Sequence, residues 1–154
     1  MKSGVEKMLW SIAIPGFGQL LNKKYFKGTV LIILEFIINI NANINEIIVL
    51  SFLGFTDLSA KQANYKWLMF YPCVYLFSIW DAYKDGVDEV PPLLYIPFAT
   101  AAYSETLGII YSKCFRINGI LIGPIFLPTA FIFLGLGIGF LIRLFILNVK
   151  KIDH

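Results

Sequence analysis

Long apolar runs separated by short polar connectors constrain the fold of this chain more than any other feature of its sequence. Hydrophobic residues make up 58% of the 154 residues, and charged residues only 15%. A water-soluble domain of this length has too small an interior to bury so many large apolar side chains, because more than half of its surface stays accessible. A lipid bilayer can cover them, so the sequence predicts an integral membrane protein.

Four of these runs are long enough to cross a bilayer as helices. A helix rises about 1.5 Å per residue, and a hydrocarbon core is about 30 Å thick. The predicted fold class is therefore all-α: a polytopic transmembrane helix bundle with four spans, forming a single membrane domain over residues 1–154. The predicted spans are residues 28–50, 65–83, 93–112 and 120–147.

The second run has aromatic residues at both ends, and Trp and Tyr favour the two membrane interfaces. These residues are Tyr65, Trp67, Trp80 and Tyr83. Pro72 lies inside the run and removes a backbone donor, so we expect a kink there. A charged, proline-rich connector is predicted to follow as a loop. It contains Asp81, Lys84, Asp85, Asp88, Glu89, Pro91 and Pro92.

The segment before the first span, residues 8–21, is apolar but interrupted by Pro15, Gly16 and Gly18. Its pieces are too short to cross the bilayer as a regular helix. We therefore expect a short interfacial or re-entrant N-terminal segment without signal-peptide cleavage. If the segment crossed instead, the chain would have five spans and an external amino terminus, and that alternative stays open.

Basic residues orient the four-span arrangement. Cytoplasmic flanks of membrane proteins collect Lys and Arg. A cytoplasmic amino terminus places nine of the 13 basic residues inside: Lys2, Lys7, Lys23, Lys24, Lys27, Lys84, Arg143, Lys150 and Lys151. Both termini are therefore predicted to be cytoplasmic in a multi-pass protein of the cell membrane. Because the basic residues are scattered in small groups, we expect no nucleic-acid partner.

Polar residues of the first run repeat at helical spacing. Glu35, Asn39, Asn43 and Glu46 are separated by four, four and three positions. On one continuous helix they would share a face. In the alternative interpretation, the helix ends near residue 40 and the Asn-rich stretch forms an interfacial loop.

The second and third runs also carry candidate polar residues. Tyr71, Tyr75 and Ser78 repeat by four and three positions, and Glu105 stands alone in the third run. An ionisable side chain inside a bilayer costs a few kcal/mol, so we expect it to face the bundle, a partner or water. Glu105 shares its helical face with the small residues Ala101, Gly108 and Ser112.

Two functions are compatible with these polar residues. In the first, they join helices through hydrogen bonds worth about 0.6 to 2 kcal/mol each, within a small accessory or assembly subunit of a membrane complex. In the second, an oligomeric channel or proton-coupled carrier for an ion or small solute uses Glu35 and Glu105. We expect the first, with the lipid bilayer and another membrane protein or a second copy as partners.

The fourth run contains Gly135 and Gly139 at a spacing that permits close helix contact. Arg143 lies near the far end of the run, and we expect its guanidinium to reach the membrane interface.

Residues suited to catalysis are scarce. His154, the last residue, is the single histidine, and no serine stands in a Gly-x-Ser-x-Gly turn. Cys73 and Cys114 have no metal-ligand spacing and are expected to pack as small apolar side chains, with a disulfide as the alternative. We therefore expect no enzyme, no cofactor and no metal.

Short motifs within residues 8–86 form a recurring pattern. They are Pro15-Gly16-Phe17-Gly18-Gln19, Tyr25, Lys27-Gly28 and Trp80-Asp81-Ala82-Tyr83. Together they resemble the two-helix transmembrane module of small bacterial membrane proteins. The chain departs from better-known members after Gly18, where it lacks their His-Arg-Phe-Tyr element and has Gln19-Leu20-Leu21-Asn22.

The resemblance implies an architecture in a bacterial cytoplasmic membrane more than an activity. It implies a broken hydrophobic entry, a cationic turn at the cytoplasmic face and an aspartate at the cytoplasmic end of the second helix. Residues 91–150 would then add a second helix pair. We expect Asp81 to pair with Lys23, Lys24 or Lys27 because all of them are predicted on the same side.

Overall fold

The fold is almost entirely helical in a computed structural model that describes residues 2–152, and the side chains of residues 4–150. This confirms the predicted all-α class. The helices are α1 Lys2–Ala13, α2 Phe17–Leu21, α3 Tyr25–Ala42, α4 Ile44–Phe52, α5 Thr56–Gln62, α6 Tyr65–Leu68, α7 Tyr71–Lys84, α8 Tyr95–Tyr111 and α9 Gly123–Ile152. His154 and the side chain of Lys151 lie outside the described residues.

A short hairpin interrupts the helical pattern before α9. Its strands, β1 Arg116–Ile117 and β2 Ile120–Leu121, pair antiparallel. Asn118 and Gly119 form the turn with φ angles of 50° and 83°, the left-handed pair that Asn-Gly favours in two-residue hairpins. The helix of the fourth predicted span, α9, therefore begins at Gly123, whereas the sequence predicted its start at residue 120.

Two helices among the described residues are long and apolar enough to cross a bilayer. They are Tyr25–Ala42, with a mean hydropathy of 1.4, and Gly123–Lys150, with 2.5. Only 22% and 11% of these stretches are buried by the rest of the chain. The structure thus supports two of the four predicted spans, since α7 has 14 residues and α8 has 17.

The first predicted span ends earlier than residue 50. Asn43 adopts a left-handed conformation with φ 59°, which ends α3 at Ala42 and starts α4 at Ile44. Asn tolerates this conformation better than most residues. The predicted continuous face from Glu35 to Glu46 is therefore wrong, because Glu46 lies on α4. The alternative loop is also wrong, since the Asn-rich stretch continues as a second helix.

The second predicted span is broken before Pro72. The short helix α6 ends at Leu68, and α7 begins at Tyr71 with Pro72 in its first turn. A proline is tolerated there because the first backbone N–H groups of a helix have no partner within it. Pro72 thus begins a helix, and the predicted kink within a continuous helix is wrong. Asp81 and Lys84 belong to the last turn of α7, not to the connector.

Long helices run antiparallel to their neighbours. Lys27 of α3 meets Asp81 near the end of α7, and at the opposite end the Asn64 N–H donates to the Ala42 carbonyl at 3.3 Å. This opposite end also holds a hydrophobic core. Its buried members are Ile38, Ala42, Ile44, Ile47, Leu68 and Ile109.

Helices α1 and α2 form a hairpin beside α7. Gly4 lies next to Val87, and farther along, the Tyr75 hydroxyl donates to the Ile12 carbonyl at 3.2 Å. The chain then reverses at Gly16, whose N–H donates to the Ser78 hydroxyl at 3.0 Å. This geometry is that of a helical hairpin inserted against α7.

Glycines bring α8 and α9 into close contact. A Cβ atom added at Gly135 would lie 2.6 Å from the Ala101 Cα, and one at Gly139 would lie 2.5 Å from the Pro97 Cα. A Cβ at Gly137 would meet nothing within 4 Å. The predicted close helix contact at Gly135 and Gly139 is confirmed.

Candidate functional site

The Pro15-Gly16 turn requires glycine for two reasons. Gly16 has φ 100°, a conformation that side chains rarely adopt. A Cβ atom there would also lie 2.5 Å from the Gly28 carbonyl oxygen, and one at Gly28 would lie 2.6 Å from a Leu20 methyl carbon. The motif glycines therefore let the hairpin tip and the start of α3 pack backbone against backbone.

Gln19 is the centre of a buried hydrogen-bond network. It is 0% exposed, and its amide donates to the Ser78 carbonyl at 2.9 Å and to Asp81 Oδ2 at 3.2 Å. Its own oxygen accepts from the Ser11 hydroxyl at 3.2 Å, and that hydroxyl accepts from the Gly18 N–H at 3.2 Å. A buried amide paired on both sides fixes α1, α2 and α7 relative to one another.

Asp81 links this network to two lysines. It is 1% exposed, with Lys27 Nζ at 2.9 Å and Lys84 Nζ at 3.3 Å. Lys27 also binds Asp85 at 3.0 Å. The prediction that Asp81 pairs with Lys23, Lys24 or Lys27 is confirmed for Lys27.

We call this set the N-terminal polar cluster: Ser11, Gln19, Lys27, Ser78, Asp81, Lys84 and Asp85. The part played by Ser11, which precedes the motif by one helical turn, was not predicted. Nor was that of Asn22, whose amide donates to the Ala82 carbonyl at 2.8 Å. Tyr83 of the motif is half-buried in the last turn of α7. The charges of the cluster are paired with one another, so the cluster joins helices through hydrogen bonds and ion pairs.

The two glutamates of the predicted spans lie elsewhere. Glu105 is 5% exposed and Glu35 is half-buried, and each has a buried Oε2 without a hydrogen-bond partner among the described residues. Tyr71 and Tyr75 stack with ring centroids 5.2 Å apart. Tyr71, Tyr75 and Glu105 line one cavity, whereas Glu35 lines another.

The remaining predicted polar residues lie apart from these side chains or join other contacts. The Asn39 amide donates to Asn45 at 3.3 Å, and the Asn43 amide donates to the Gln62 carbonyl at 2.9 Å. Glu46 is exposed in the first turn of α4. Ser78 belongs to the N-terminal polar cluster.

A cavity of about 590 Å³ lies between α1, α4, α7, α8 and α9. Its lining is apolar apart from Glu105, Tyr71, Tyr75 and Thr129. A second cavity of about 350 Å³ lies beside the hairpin tip and is lined by Glu35, Asn39 and Pro15, among others. We call the first the Glu105 cavity.

A surface ion pair joins α5 to the β1–β2 hairpin. Arg116 donates to Asp57 Oδ1 at 2.6 Å, and this hydrogen bond lowers the pKa of Asp57 below its ordinary value. Both side chains are exposed, so the pair is worth little to stability. Arg143 also makes a protein contact, since its Nε donates to the Pro92 carbonyl at 2.8 Å.

The two cysteines are free and exposed. The expectation that they are buried as small apolar side chains is therefore wrong for Cys73 and Cys114. Within residues 2–152, no group of three or more His, Cys, Asp or Glu side chains is arranged to hold a metal ion.

No known protein family, curated protein or solved structure matches this chain. The resemblance to the two-helix transmembrane module therefore stays a prediction.

Proposed function

We propose that this protein is a non-enzymatic accessory or assembly subunit of a membrane complex, and that it binds its partner through the outward face of α8. One observation carries the proposal: Tyr103, near the middle of α8, is 69% exposed. At that depth lipid offers no hydrogen-bond partner to a hydroxyl, whereas another membrane protein does.

The neighbours of Tyr103 on this face suit contact with another helix. Ala99, one turn earlier, is exposed, and Tyr95, a further turn earlier, is 52% exposed. Residues four positions apart lie on one side of a helix. The small side chain of Ala99 lets a partner helix approach closely between the two tyrosines.

The proposed topology has four spans. The 17 residues of α8 reach about 26 Å at the usual helical rise, and α8 packs against α9 from Pro97 to Gly108. Residues 65–84, comprising α6 and α7, form the other added span. In this arrangement the α1–α2 hairpin enters from the cytoplasmic side, as the module it resembles would.

The positions of the charged groups support this orientation. Lys27, Lys84 and the Arg143–Pro92 contact all lie at one end of the helices. The positive-inside tendency makes that end cytoplasmic. Both termini then face the cytoplasm, and the β1–β2 hairpin lies on the other side.

The use of polar groups in the N-terminal polar cluster supports a role without catalysis. Each ionised side chain of the cluster is held by a partner from the same cluster. The network therefore leaves none of its own ionised groups free to act as a general base. Its effect is to hold the helices together.

Site-specific photo-crosslinking tests the partner surface. A photoreactive residue in place of Tyr103 or Ala99 is expected to form one discrete protein adduct in native membranes. The same residue at Leu141, which is 68% exposed on the apolar face of α9, is the matched control and is expected to give lipid adducts only. Protein adducts of equal yield at positions 103 and 141 would count against the proposed surface.

Purification in mild detergent tests the broader proposal. A partner that co-purifies at fixed stoichiometry, and is lost in Tyr103→Leu but retained in Leu141→Ala, is expected. Recovery of stable homo-oligomers with no second protein would contradict the accessory role in a complex with another protein.

A second candidate function, proton-coupled transport of an ion or small solute, is favoured by two glutamate oxygens without a partner in the described residues. One belongs to Glu105, which lines a cavity with the stacked tyrosines, and the other to Glu35. Flux assays in liposomes separate this candidate from the first. Transport that depends on pH and is abolished by Glu35→Gln would replace the accessory role, and no flux above empty liposomes would exclude the transport candidate.

A further inference from the structure

The Glu105 carboxyl is a buried polar group that the proposed partner surface does not explain. It is 5% exposed, and its Oε2 has no hydrogen-bond partner in the described part of the chain. A buried polar group without a partner costs free energy, and an unpaired carboxylate costs more. A group from outside the chain can supply the missing partner, because this carboxyl lines the Glu105 cavity.

The cavity lining has one acidic side chain and no basic one. Its other members are apolar or carry a single hydroxyl, and include Ile79, Ile109, Ile132 and Leu136. The surroundings therefore favour an occupant that is apolar over most of its surface and positively charged at one point.

We propose that the Glu105 cavity binds an apolar primary amine, with the ammonium donating to Glu105 and the hydrocarbon body lying among the side chains of α7, α8 and α9. At about 590 Å³, the cavity falls within the range of about 300 to 1,000 Å³ typical of small-molecule sites. An ammonium and a carboxylate form a charge-assisted hydrogen bond, which is stronger than a neutral one.

Part of the cavity lining is exposed at the surface of the chain. Ile12 and Phe133 both line the cavity and are 43% and 70% exposed. In the proposed topology such exposed lining residues meet the lipid, so an amphiphilic amine can enter from the bilayer. A plain acyl chain would fill the same space but would leave Glu105 without a partner. A fatty acid would place a second carboxylate beside it, which repels it.

This site is separate from the proposed partner surface. Tyr103 and Ala99 do not line the cavity, whereas Glu105 does. Loss of partner binding in a Tyr103 variant therefore leaves the amine site intact, and the two proposals fail independently.

The test uses dodecylamine carrying a photoreactive diazirine on its alkyl chain, with the full chain reconstituted in phosphatidylcholine nanodiscs. Labelling is expected at Ile132 or Leu136. Unlabelled dodecylamine should compete with the probe at a concentration roughly tenfold lower than dodecanol requires, and dodecanoate should require a higher concentration than dodecanol. Glu105→Gln, which keeps the shape of the side chain, is expected to weaken labelling roughly tenfold or more and to abolish the preference for the amine. Glu46→Gln, at an exposed position of α4, is the matched control and is expected to label normally.

A second variant decides the matter if Glu105→Gln fails to fold. Leu136→Trp fills the cavity and is expected to block labelling while Glu105 remains in place. Equal competition by amine, alcohol and acid would overturn the proposal. So would unchanged labelling in a folded Glu105→Gln protein, or labelling spread evenly over the outward face of α9, because these results indicate ordinary partition into lipid.

Discussion

Helices α1, α2, α3 and α7 are joined through buried polar side chains, whereas α8 and α9 are joined by glycines that let two backbones touch. In the first region, Gln19 and Asp81 are almost fully buried and bonded to groups of other elements. In the second, a single methyl group at Gly135 would approach the Ala101 backbone within 2.6 Å.

In the proposed membrane arrangement, the two regions meet the same physical problem in different ways. Lipid tails are as apolar as a leucine side chain, so apolar contact alone does not hold helices together in a bilayer. Buried hydrogen bonds and ion pairs set the first region apart, although Gly16 and Gly28 also bring backbones together there. Close van der Waals packing predominates in the second, with a hydrogen bond from the Thr100 hydroxyl to the Gly135 carbonyl. The first therefore depends more on the chemical identity of its side chains, and the second more on their size.

The largest effect is expected when a larger side chain replaces a glycine in the α8–α9 contact. Gly135→Val should destabilise the α8–α9 pair by about 3 kcal/mol, because backbone atoms cannot move away as a flexible side chain can. The measurement is the unfolding midpoint in detergent, followed by circular dichroism. Gly137→Val is the matched control, since nothing lies within 4 Å of the added Cβ. Equal loss at both positions would mean that contact between the helices is not what the glycines provide.

A smaller effect is expected when a charged side chain is removed from the N-terminal polar cluster. Asp81→Ala should cost about 2 kcal/mol, because the Gln19 amide keeps only the Ser78 carbonyl as an acceptor and Lys27 keeps only Asp85. The figure is below that for a fully buried pair because the Lys27 side chain is 44% exposed. Asp88→Ala in the exposed connector is the control and should be close to neutral. Chemical denaturation of the reconstituted protein measures both, and a neutral result for Asp81→Ala would remove the cluster as a stabilising element.

A still smaller effect is expected from the neutral part of the same network. Gln19→Met keeps the length of the side chain but removes its hydrogen bonds, and should cost about 1 kcal/mol. Gln62→Met, at an exposed position, serves as the comparison. A Gln19→Met protein as stable as the parent would show that Asp81 and the lysines hold the helices without the amide.

The smallest effect concerns pH and lies outside both regions. Because Arg116 lowers the pKa of Asp57 in the folded state, the pair adds stability above the unfolded-state pKa of about 4 and loses it as the pH falls through the lower folded-state value. Melting curves of the parent and of Asp57→Asn should therefore differ slightly at neutral pH, begin to approach each other below about pH 4 and converge once the pH is below the folded-state pKa. A difference that grows on acidification would contradict the pairing.

Some contacts of the N-terminal polar cluster could be predicted from the motif residues, and others could not. The shared side predicted for Asp81 and for Lys23, Lys24 and Lys27 was enough to predict an ion pair with one of these lysines. The structure selects Lys27, because antiparallel packing brings the start of α3 beside the end of α7. The role of Ser11 was not predictable, since its partners Gln19 and Gly18 are brought to it by the reversal at Gly16. Helix ends were the other failure: Asn43 and Pro72 stop and start helices within apolar runs that look continuous.

The sequence by itself determined the helical class, the apolar surface, the face shared by Glu105 with small residues and the close contact at Gly135 and Gly139. These follow from composition and from the 3.6-residue helical period, which are local properties. Tertiary structure alone decided which lysines pair with Asp81, and that Glu105 Oε2, beside a cavity, has no hydrogen-bond partner among the described residues. Whether a buried carboxyl finds a partner depends on groups distant in the chain, and so on how the helices pack.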